Sequence, residues 1–257
     1  MGNTALITGA SSGIGKELAR YHAAKGGDVV LVARSEDKLN ALKVELEGAH
    51  GITAMIIAED LSQLDAAEKI FAATETAGLQ IDVLINNAGF GGHGKFYERD
   101  LSKDQAMMQV NMVTLVTLTH LYLKGMVSRN SGKILHVAST AAFMPGPLQA
   151  VYYATKSFVV SFSQAITQEL EGSGVTSTAL CPGAVATGFV KAGDLDGIDL
   201  WDKAATPESV AKCGYDAMME GKLIKINEMG LNFMLNWVIP FMPRKTVLKI
   251  SQKAMEK

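Results

Sequence analysis

The stretch that decides the fold is Thr8-Gly9-Ala10-Ser11-Ser12-Gly13-Ile14-Gly15. It follows a short strand-like run, 4–8, and leads into a helical pattern near residues 13–25. A strand-turn-helix junction of this kind directs backbone N–H groups and the positive helix end toward a pyrophosphate, and glycines let the phosphate approach the backbone. A glycine-rich turn is also typical of ordinary loops, so the stretch alone is a hypothesis. The residues expected at this dinucleotide site are Gly9, Ser11, Ser12, Gly13, Ile14 and Gly15.

Short apolar runs recur along the chain, with longer helical patterns between them. The runs are 4–8, 29–33, 55–58, 83–85, 134–138 and 178–181, and the helical patterns lie near 13–25, 36–47, 63–77, 102–128, 151–171 and 207–219. This alternation predicts an α/β fold: a single doubly wound Rossmann-like domain, 1–257, with a central parallel sheet flanked by helices. Helices are expected to begin at Ser62 and at Thr206-Pro207.

Composition narrows the class of protein. The chain of 257 residues is 48% hydrophobic and 19% charged, with a formal net charge of −2. These values favour a folded protein with a large core and argue against a nucleic-acid partner, which would call for a basic excess. Cys181 and Cys213 are too few for a disulfide framework, and the histidines lack metal-ligand spacing. A soluble cytoplasmic protein without a metal, a signal peptide or a membrane-spanning helix is therefore expected.

The end of the second strand bears on the choice of cofactor. Folds of this kind hold the ribose of NAD with an acid near this position, whereas an arginine accepts the 2′-phosphate of NADP. Ala33 is not an acid, and Arg34 follows it. A guanidinium can bind phosphate through two parallel hydrogen bonds, and Ser35 or Lys38 could assist. The alternative is that Arg34 is an ordinary solvated residue at a helix start.

A possible catalytic group lies farther along the chain. Ser139 ends the run 134–138, and Tyr152 and Lys156 are four residues apart in the next helical pattern. That spacing places both side chains on one helix face, with Tyr153 pointing about 100° away. A nearby ammonium favours phenolate, which would suit Tyr152 to acid/base work. Taken alone, such a pair is more often ordinary structure, but Ser139 falls at the sheet edge where a dinucleotide is expected.

Together these motifs resemble the short-chain dehydrogenase/reductase family. The family shows T-G-x-x-x-G-x-G, N-N-A-G (here 86–89), and a serine thirteen positions before Y-x-x-x-K, as Ser139 precedes Tyr152. The resemblance implies that Tyr152 is the general acid/base and that Ser139 orients the substrate oxygen. It further implies that Lys156 lowers the pKa of Tyr152 and holds the nicotinamide ribose, and that Asn111 supports a water-linked proton relay.

The same resemblance implies further cofactor contacts. An aspartate-leucine pair after the third strand would meet the adenine, the N-N-A-G turn would line the adenosine side, and the P-G-x-x-x-T turn 182–187 would meet the carboxamide. The residues concerned are Asp60, Leu61, Asn87, Ala88, Gly89, Pro182, Gly183, Val185 and Thr187.

The function implied is an NADP(H)-dependent oxidoreductase that moves a hydride between the nicotinamide and an alcohol/carbonyl substrate, and the first expectation is a carbonyl reductase of an apolar substrate. A 3-oxoacyl thioester reductase and a steroid-type dehydrogenase are the alternatives within the family. Outside it, the same fold could serve as a dinucleotide-sensing protein. Family members commonly form homodimers or homotetramers through the helices that here contain Asn111 and Tyr152.

Two segments are expected to set the substrate. A loop near 187–205 would cover the site, while His93, Phe143, Met144 and Phe189 are candidates for contact with an apolar substrate. A C-terminal extension near 223–257 is first apolar, over 231–242, and then basic, with lysines every four residues from Lys245 to Lys257. This extension could be a lid, a subunit contact or a surface that touches a membrane.

Overall fold

A seven-stranded sheet runs through the chain, and all of its pairings are parallel. The computed structural model describes residues 3–201 and 203–257. The strand order is β3-β2-β1-β4-β5-β6-β7. The strands are β1 (Thr4–Thr8), β2 (Asp28–Ala33), β3 (Ala54–Ala58), β4 (Val83–Asn86), β5 (Gly132–Val137), β6 (Val175–Cys181) and β7 (Ile224–Ile226). The predicted α/β class and parallel sheet are thus confirmed.

Helices cover both faces of the sheet. Successive residues of a strand point to opposite faces, so Ile7 packs with α1, α2 and α8, whereas Leu6 packs with α3 and α5. Burial on both faces explains why the strands are apolar throughout rather than alternating. The helices are α1 (Gly13–Ala23), α2 (Glu36–His50), α3 (Ala66–Thr76), α4 (Leu101–Met108), α5 (Leu115–Ser128), α6 (Ala150–Glu169), α7 (Phe189–Ala192), α8 (Pro207–Met219), α9 (Met229–Phe233) and α10 (Arg244–Ala254).

Of the two helix starts expected from the sequence, one is wrong and one is confirmed, and one strand was not expected. The helix start at Ser62 is wrong, because the Ser62 hydroxyl donates to Asp60 and α3 begins only at Ala66. The start at Thr206 is confirmed, since its side chain accepts a hydrogen bond from the Ser209 amide. Strand β7 has three residues, too few to show a periodic pattern, and the sequence did not reveal it.

The loop 187–205 contains more structure than expected. It holds α7 and a single 3₁₀ turn, Asp199–Trp201, and it buries Leu195 and Ile198. A parallel bridge joins Val185, two residues before the loop, to Ala205 at the end of the loop. The loop therefore returns to the point on the chain from which it leaves.

One helix, Leu101–Ser128, is long and apolar enough to cross a membrane by length and composition. It comprises α4, a π-helical turn (Gln109–Thr114) and α5. Half of its most apolar window is buried inside the fold, as is common for core helices of soluble proteins. Length and composition alone do not test the expectation that the chain has no membrane-spanning helix, which stays a prediction.

One hydroxyl group joins the two central strands, β1 and β4, at the carboxyl edge of the sheet. Thr8 ends β1, and its Oγ1 accepts from the backbone N–H groups of Asn87 (3.0 Å) and Ala88 (3.0 Å), just beyond β4. The Asn87 side chain donates in return to the Thr8 carbonyl at 2.8 Å. These bonds hold together the two strands between which the crossovers change direction, where ligands of such sheets bind.

We expect Thr8→Val to lower the free energy of unfolding by about 1–3 kcal/mol, because two half-buried amides would lose their acceptor while side-chain volume is kept. Equilibrium urea denaturation measures this change. Thr117→Val is the matched control: its hydroxyl bonds only to a carbonyl of its own helix, so a change within about 0.5 kcal/mol is expected. Equal losses in both variants would contradict the role given to Thr8.

Candidate active site

A cavity of about 590 Å³ runs along the carboxyl edge of the sheet. Most residues expected from the sequence line it, although they come from seven separate segments of the chain. Gly15 and Asn111 do not line it. Those that do are Gly9, Ser11, Ser12, Gly13, Ile14, Arg34, Asp60, Leu61, Asn87, Ala88, Gly89, Ser139, Tyr152, Lys156, Pro182, Gly183, Val185 and Thr187.

The glycine loop has a shape that only glycine permits at its key positions. Gly9 and Gly13 have φ values of +68° and +54°, in the left-handed region. Gly15 is required for a different reason: a Cβ there would lie 2.4 Å from both the Gly9 carbonyl oxygen and the Asn87 amide. Gly15 therefore lets α1 pack against the loop, and the amino end of α1 faces the cavity.

The adenosine end of the cavity is lined by Arg34, Asp60 and Leu61. Arg34 is exposed directly after β2, and Ser35 lines the cavity beside it, while Lys38 does not. The Asp60 carboxylate accepts from the amide and hydroxyl of Ser62. Glu59 also lines this end and was not expected from the sequence; its amide bonds to the Ala33 carbonyl, which brings it beside the end of β2.

Ser139, Tyr152 and Lys156 meet at the other end of the cavity. Ser139 follows β5, and its Oγ accepts from the Ala141 amide at 3.1 Å. Tyr152 and Lys156 are both buried on one face of α6, with the Lys156 Nζ 5.8 Å from the centre of the Tyr152 ring. The Lys156 ammonium donates to the Val137 carbonyl at 2.8 Å, which fixes it against β5.

Burial dominates the pKa values of this group. Burial lowers the pKa of Lys156 to about 8, and it raises the pKa of Tyr152 above its usual value, with the Ser139 hydroxyl opposing the rise. The resemblance implied that Lys156 lowers the pKa of Tyr152. In the structure of the chain alone, the pKa of Tyr152 is raised instead. The cause is that the apolar surroundings disfavour both charged forms, the phenolate and the ammonium.

Asn111 lies in the π-helical turn and points away from the cavity lining. Its side chain bonds to both backbone groups of Phe90, accepting at 3.2 Å and donating at 3.1 Å, and it also donates to Thr155. A Cβ on Gly89 would lie 3.0 Å from the Asn111 oxygen and 3.3 Å from the Lys156 ammonium, so these groups converge behind Gly89. Asn111 thus links the turn after β4 to α6.

The turn after β6 forms the remaining wall. The Gly183 amide donates to Asn227 at 3.0 Å, and the Phe189 amide donates to the Thr187 hydroxyl at 3.3 Å. A Cβ on Gly13 would lie 3.0 Å from the Thr187 methyl group, so this turn approaches the glycine loop closely. The turn after β6 and the glycine loop, which are far apart in the chain, are therefore brought together by a tertiary contact.

The part of the cavity beside Tyr152 is apolar. The Phe189 ring lies 5.3 Å from the Tyr152 ring, and Tyr153 also lines the cavity although it points to another side of α6. Phe143 and Met144 were expected here but pack instead into the core beside α6. The wall is completed by Phe90, Gln149 and Met255, which the sequence did not single out, and by Leu200 and Trp201 from the loop 187–205 that was expected to cover the site.

Met255 reaches this wall from the C-terminal end of the chain. It is buried, its sulfur accepts from the Gln149 amide at 3.2 Å, and its carbonyl lies 2.7 Å from His93 Nε2. His93 therefore binds the C-terminal backbone and is not among the residues lining the cavity. Lys257 forms an ion pair with Asp194, which joins the tail to the loop 187–205.

A dinucleotide-binding sheet with a buried Ser-Tyr-Lys group at its carboxyl edge defines a class, the nicotinamide-dependent oxidoreductases. A model of the short chain dehydrogenase family matches residues 3–196. The chain belongs to that family, and it is an oxidoreductase that acts on an alcohol/carbonyl pair. Within residues 3–201 and 203–257, no group of three or more His, Cys, Asp and Glu is arranged to hold a metal ion.

Relatives of known name are similar over much of the chain. A very-long-chain 3-oxoacyl-CoA reductase of Macaca fascicularis is 32% identical over 98% of this chain and 79% of its own length. The human 17-beta-hydroxysteroid dehydrogenase type 3 is 37% identical over 74% of this chain, and this match covers 62% of the relative.

Solved structures show the same fold. A 7beta-hydroxysteroid dehydrogenase superposes with a TM-score of 0.87 at 29% identity, covering 97% of this chain and 96% of that chain. A short-chain dehydrogenase from Sphingobium yanoikuyae in complex with NADPH superposes with a TM-score of 0.83 at 26% identity, covering 94% and 97%.

Proposed function

We propose that this chain is an NADP(H)-dependent carbonyl reductase of an apolar substrate, with Tyr152 as the proton donor. The observation that carries the proposal is the convergence of Ser139, Tyr152 and Lys156, from two elements, at the apolar end of a dinucleotide-sized cavity. The bound cofactor supplies the hydride. A catalytically idle dinucleotide sensor would not require these three side chains together.

Tyr152 and Ser139 are proposed to act on the substrate oxygen. Burial keeps Tyr152 protonated, so its hydroxyl can donate a hydrogen bond to the carbonyl and pass its proton as negative charge develops there. Ser139 supplies a second donor to the same oxygen. Because both groups are held by α6 and by the end of β5, they are positioned before the reaction begins, which is the main source of stabilisation for a developing oxyanion.

Lys156 and Asn111 are proposed to support Tyr152. With a pKa of about 8, Lys156 can both donate to a ribose hydroxyl and exchange a proton near neutral pH. Asn111 fixes the turn that ends at Phe90 and converges with Lys156 behind Gly89, where a side chain larger than hydrogen would collide with both. This arrangement supports a proton path from Tyr152 toward Asn111.

We expect Tyr152→Phe to lower kcat at least about a hundredfold, because the phenyl ring has no proton to give. Steady-state kinetics with NADPH and a reducible ketone measure the loss, and fluorescence titration should show the Kd for NADPH changed less than threefold. Tyr153→Phe is the matched variant from the adjacent position, for which a loss below about tenfold is expected. A Tyr152→Phe enzyme with near-normal kcat would contradict the mechanism.

The preference for NADP(H) is proposed from the adenosine end of the cavity. Arg34 is exposed at the edge of the cavity directly after β2, with Ser35 beside it. A guanidinium there can bind the 2′-phosphate, as in other folds of this kind. The NADPH complex of the Sphingobium yanoikuyae relative supports the same preference.

We expect Arg34→Gln to reduce kcat/KM for NADPH about tenfold or more, because the 2′-phosphate would lose one charge-assisted pair of hydrogen bonds. The value of kcat/KM for NADH should change less than threefold, since NADH has no 2′-phosphate. Lys38→Gln is the control, since Lys38 is exposed one helical turn further on and does not line the cavity. If the unaltered enzyme used NADH tenfold better than NADPH, the assignment of Arg34 would be wrong.

The apolar substrate is proposed from the wall around Tyr152. Phe90, Phe189 and Met255 leave few polar groups to bind a hydrophilic substrate, and the named relatives act on long acyl thioesters or steroids. A 3-oxoacyl thioester and a steroid ketone remain the two specific candidates. We further propose that Met255 limits the length of the pocket, because it lines the cavity and is held in place by Gln149 and His93.

We expect Met255→Ala to raise kcat/KM for bulky ketones relative to small ones by about fivefold or more, because truncation removes the side chain that ends the pocket. A panel of aliphatic ketones, 3-oxoacyl thioesters and steroid ketones, followed by NADPH absorbance, measures the ratio. Met219→Ala, at a half-exposed position away from the cavity, should leave the ratio unchanged. An unchanged ratio in Met255→Ala would show that Met255 does not limit substrate size.

The remaining proposals concern the state of the protein. We propose a single functional domain, 1–257, that works as a homodimer or homotetramer in the cytoplasm. The exposed apolar side chains Val113 and Phe158, on the helical segments that carry Asn111 and Tyr152, support a subunit contact there. The free cysteines Cys181 and Cys213 fit a reducing compartment.

A further inference from the structure

The last two helical segments of the chain have the same pattern of burial: one side of each is buried against the fold and the opposite side is exposed. The segment Met229–Phe241 is helical throughout and buries Leu235 and Ile239. The following helix, α10, buries Val247 and Ser251, and Met255 directly after its end is buried as well. In each helix the buried residues recur every four positions, so residues two positions away from them point outward.

The outward side of the first segment is apolar and strongly exposed. Met229, Phe233, Trp237 and Phe241 recur every four residues and are 91%, 63%, 69% and 79% exposed. We call these four residues the aromatic stripe. It spans about 18 Å along the helix, at 1.5 Å per residue. Single exposed apolar residues are ordinary, but a row of one exposed methionine and three exposed aromatic side chains is typical of a surface that binds another molecule.

The outward side of α10 carries cations. Lys245, Lys249 and Lys253 are exposed at positions opposite to the buried residues, and they begin four residues after Phe241. Residues 222–257 contain seven Lys or Arg and two Glu, whereas the whole chain has a formal net charge of −2. The positive charge is therefore concentrated in the segment that exposes the aromatic stripe.

We propose that the aromatic stripe and the lysines of α10 dock this enzyme onto an anionic lipid bilayer, with the segment Met229–Phe241 lying in the plane of the interface. A helix with an aromatic face and flanking cations has the composition of interfacial helices, and Trp and Phe bury well at the headgroup level. Each lysine near an anionic surface adds to the attraction.

Charge favours a bilayer over a second copy of this chain. In a twofold interface the same patch meets itself, so two copies of the cations on α10 would be brought together. Two other cations of residues 222–257, Lys222 and Lys257, are already paired with Glu220 and Asp194. An anionic surface instead attracts that charge. The docking surface thus differs from the proposed subunit contact near Val113 and Phe158.

The surface also borders the substrate cavity. A Cβ on Gly183, which lines the cavity, would lie 3.1 Å from Leu231 of the first segment, and Met255, directly after α10, forms part of the apolar wall. Docking would therefore place the cavity close to the membrane, where apolar substrates concentrate. This consequence rests on the proposed function, but the docking itself does not.

Co-sedimentation with vesicles of phosphatidylcholine containing 30% phosphatidylserine, and with phosphatidylcholine alone, tests the proposal on the full chain. We expect binding to the anionic vesicles that falls when salt is raised. Phe233→Ser with Trp237→Ser should lower the partition coefficient at least tenfold, whereas Val44→Ser with Leu64→Ser, an equally exposed apolar pair elsewhere, should leave it unchanged. Circular dichroism confirms that each variant is folded.

Lys245→Gln, Lys249→Gln and Lys253→Gln together should lower binding to anionic vesicles about tenfold or more, while the exposed set Lys25→Gln, Lys103→Gln and Lys124→Gln should have less than a threefold effect. Tyr152→Phe should bind as well as the unaltered chain, which separates docking from catalysis. Absence of binding to anionic vesicles, or binding that survives loss of the stripe, would overturn the proposal. Light scattering gives a further test. If the Phe233→Ser, Trp237→Ser variant were a smaller oligomer than the unaltered chain, the stripe would be a subunit contact and the proposal would be overturned.

Discussion

The contact on which the rest of the site depends is the bond between the Thr8 hydroxyl and the backbone after β4. It joins the two central strands at the point where the crossovers change direction, and Asn87 completes it by donating to the Thr8 carbonyl. Because Gly15 packs against Asn87, the same contact positions the amino end of α1. The nucleotide end of the cavity is thus determined by a few short-range polar bonds within an otherwise apolar sheet.

The catalytic end is governed by burial. Apolar surroundings lower the pKa of Lys156 to about 8 and raise the pKa of Tyr152. At neutral pH Tyr152 therefore stays a neutral phenol, while Lys156 is still mostly an ammonium, which the Val137 carbonyl holds against β5. Both groups are preorganised hydrogen-bond donors, which suits a reaction in which negative charge develops on the substrate oxygen.

The C-terminal tail connects the substrate end of the cavity with the outer surface. The same helix that inserts Met255 beside Gln149 exposes lysines on its other side, and Lys257 ties the tail to Asp194 in the loop 187–205. A change in the tail would therefore reach the substrate wall, the loop and the surface together. This coupling follows from the amphipathic character of one short helix.

The sequence by itself determined the parallel α/β sheet, the glycine loop and the candidates Ser139, Tyr152 and Lys156, because these features depend on local spacing and on the order of strands. The tertiary contacts were needed to see that Met255 and not Phe143 lines the cavity, that His93 binds the tail, and that burial raises the pKa of Tyr152. The short strand β7 also escaped the sequence. The physical reason is that wall contacts and desolvation join residues far apart in the chain, and local periodicity carries no information about such contacts.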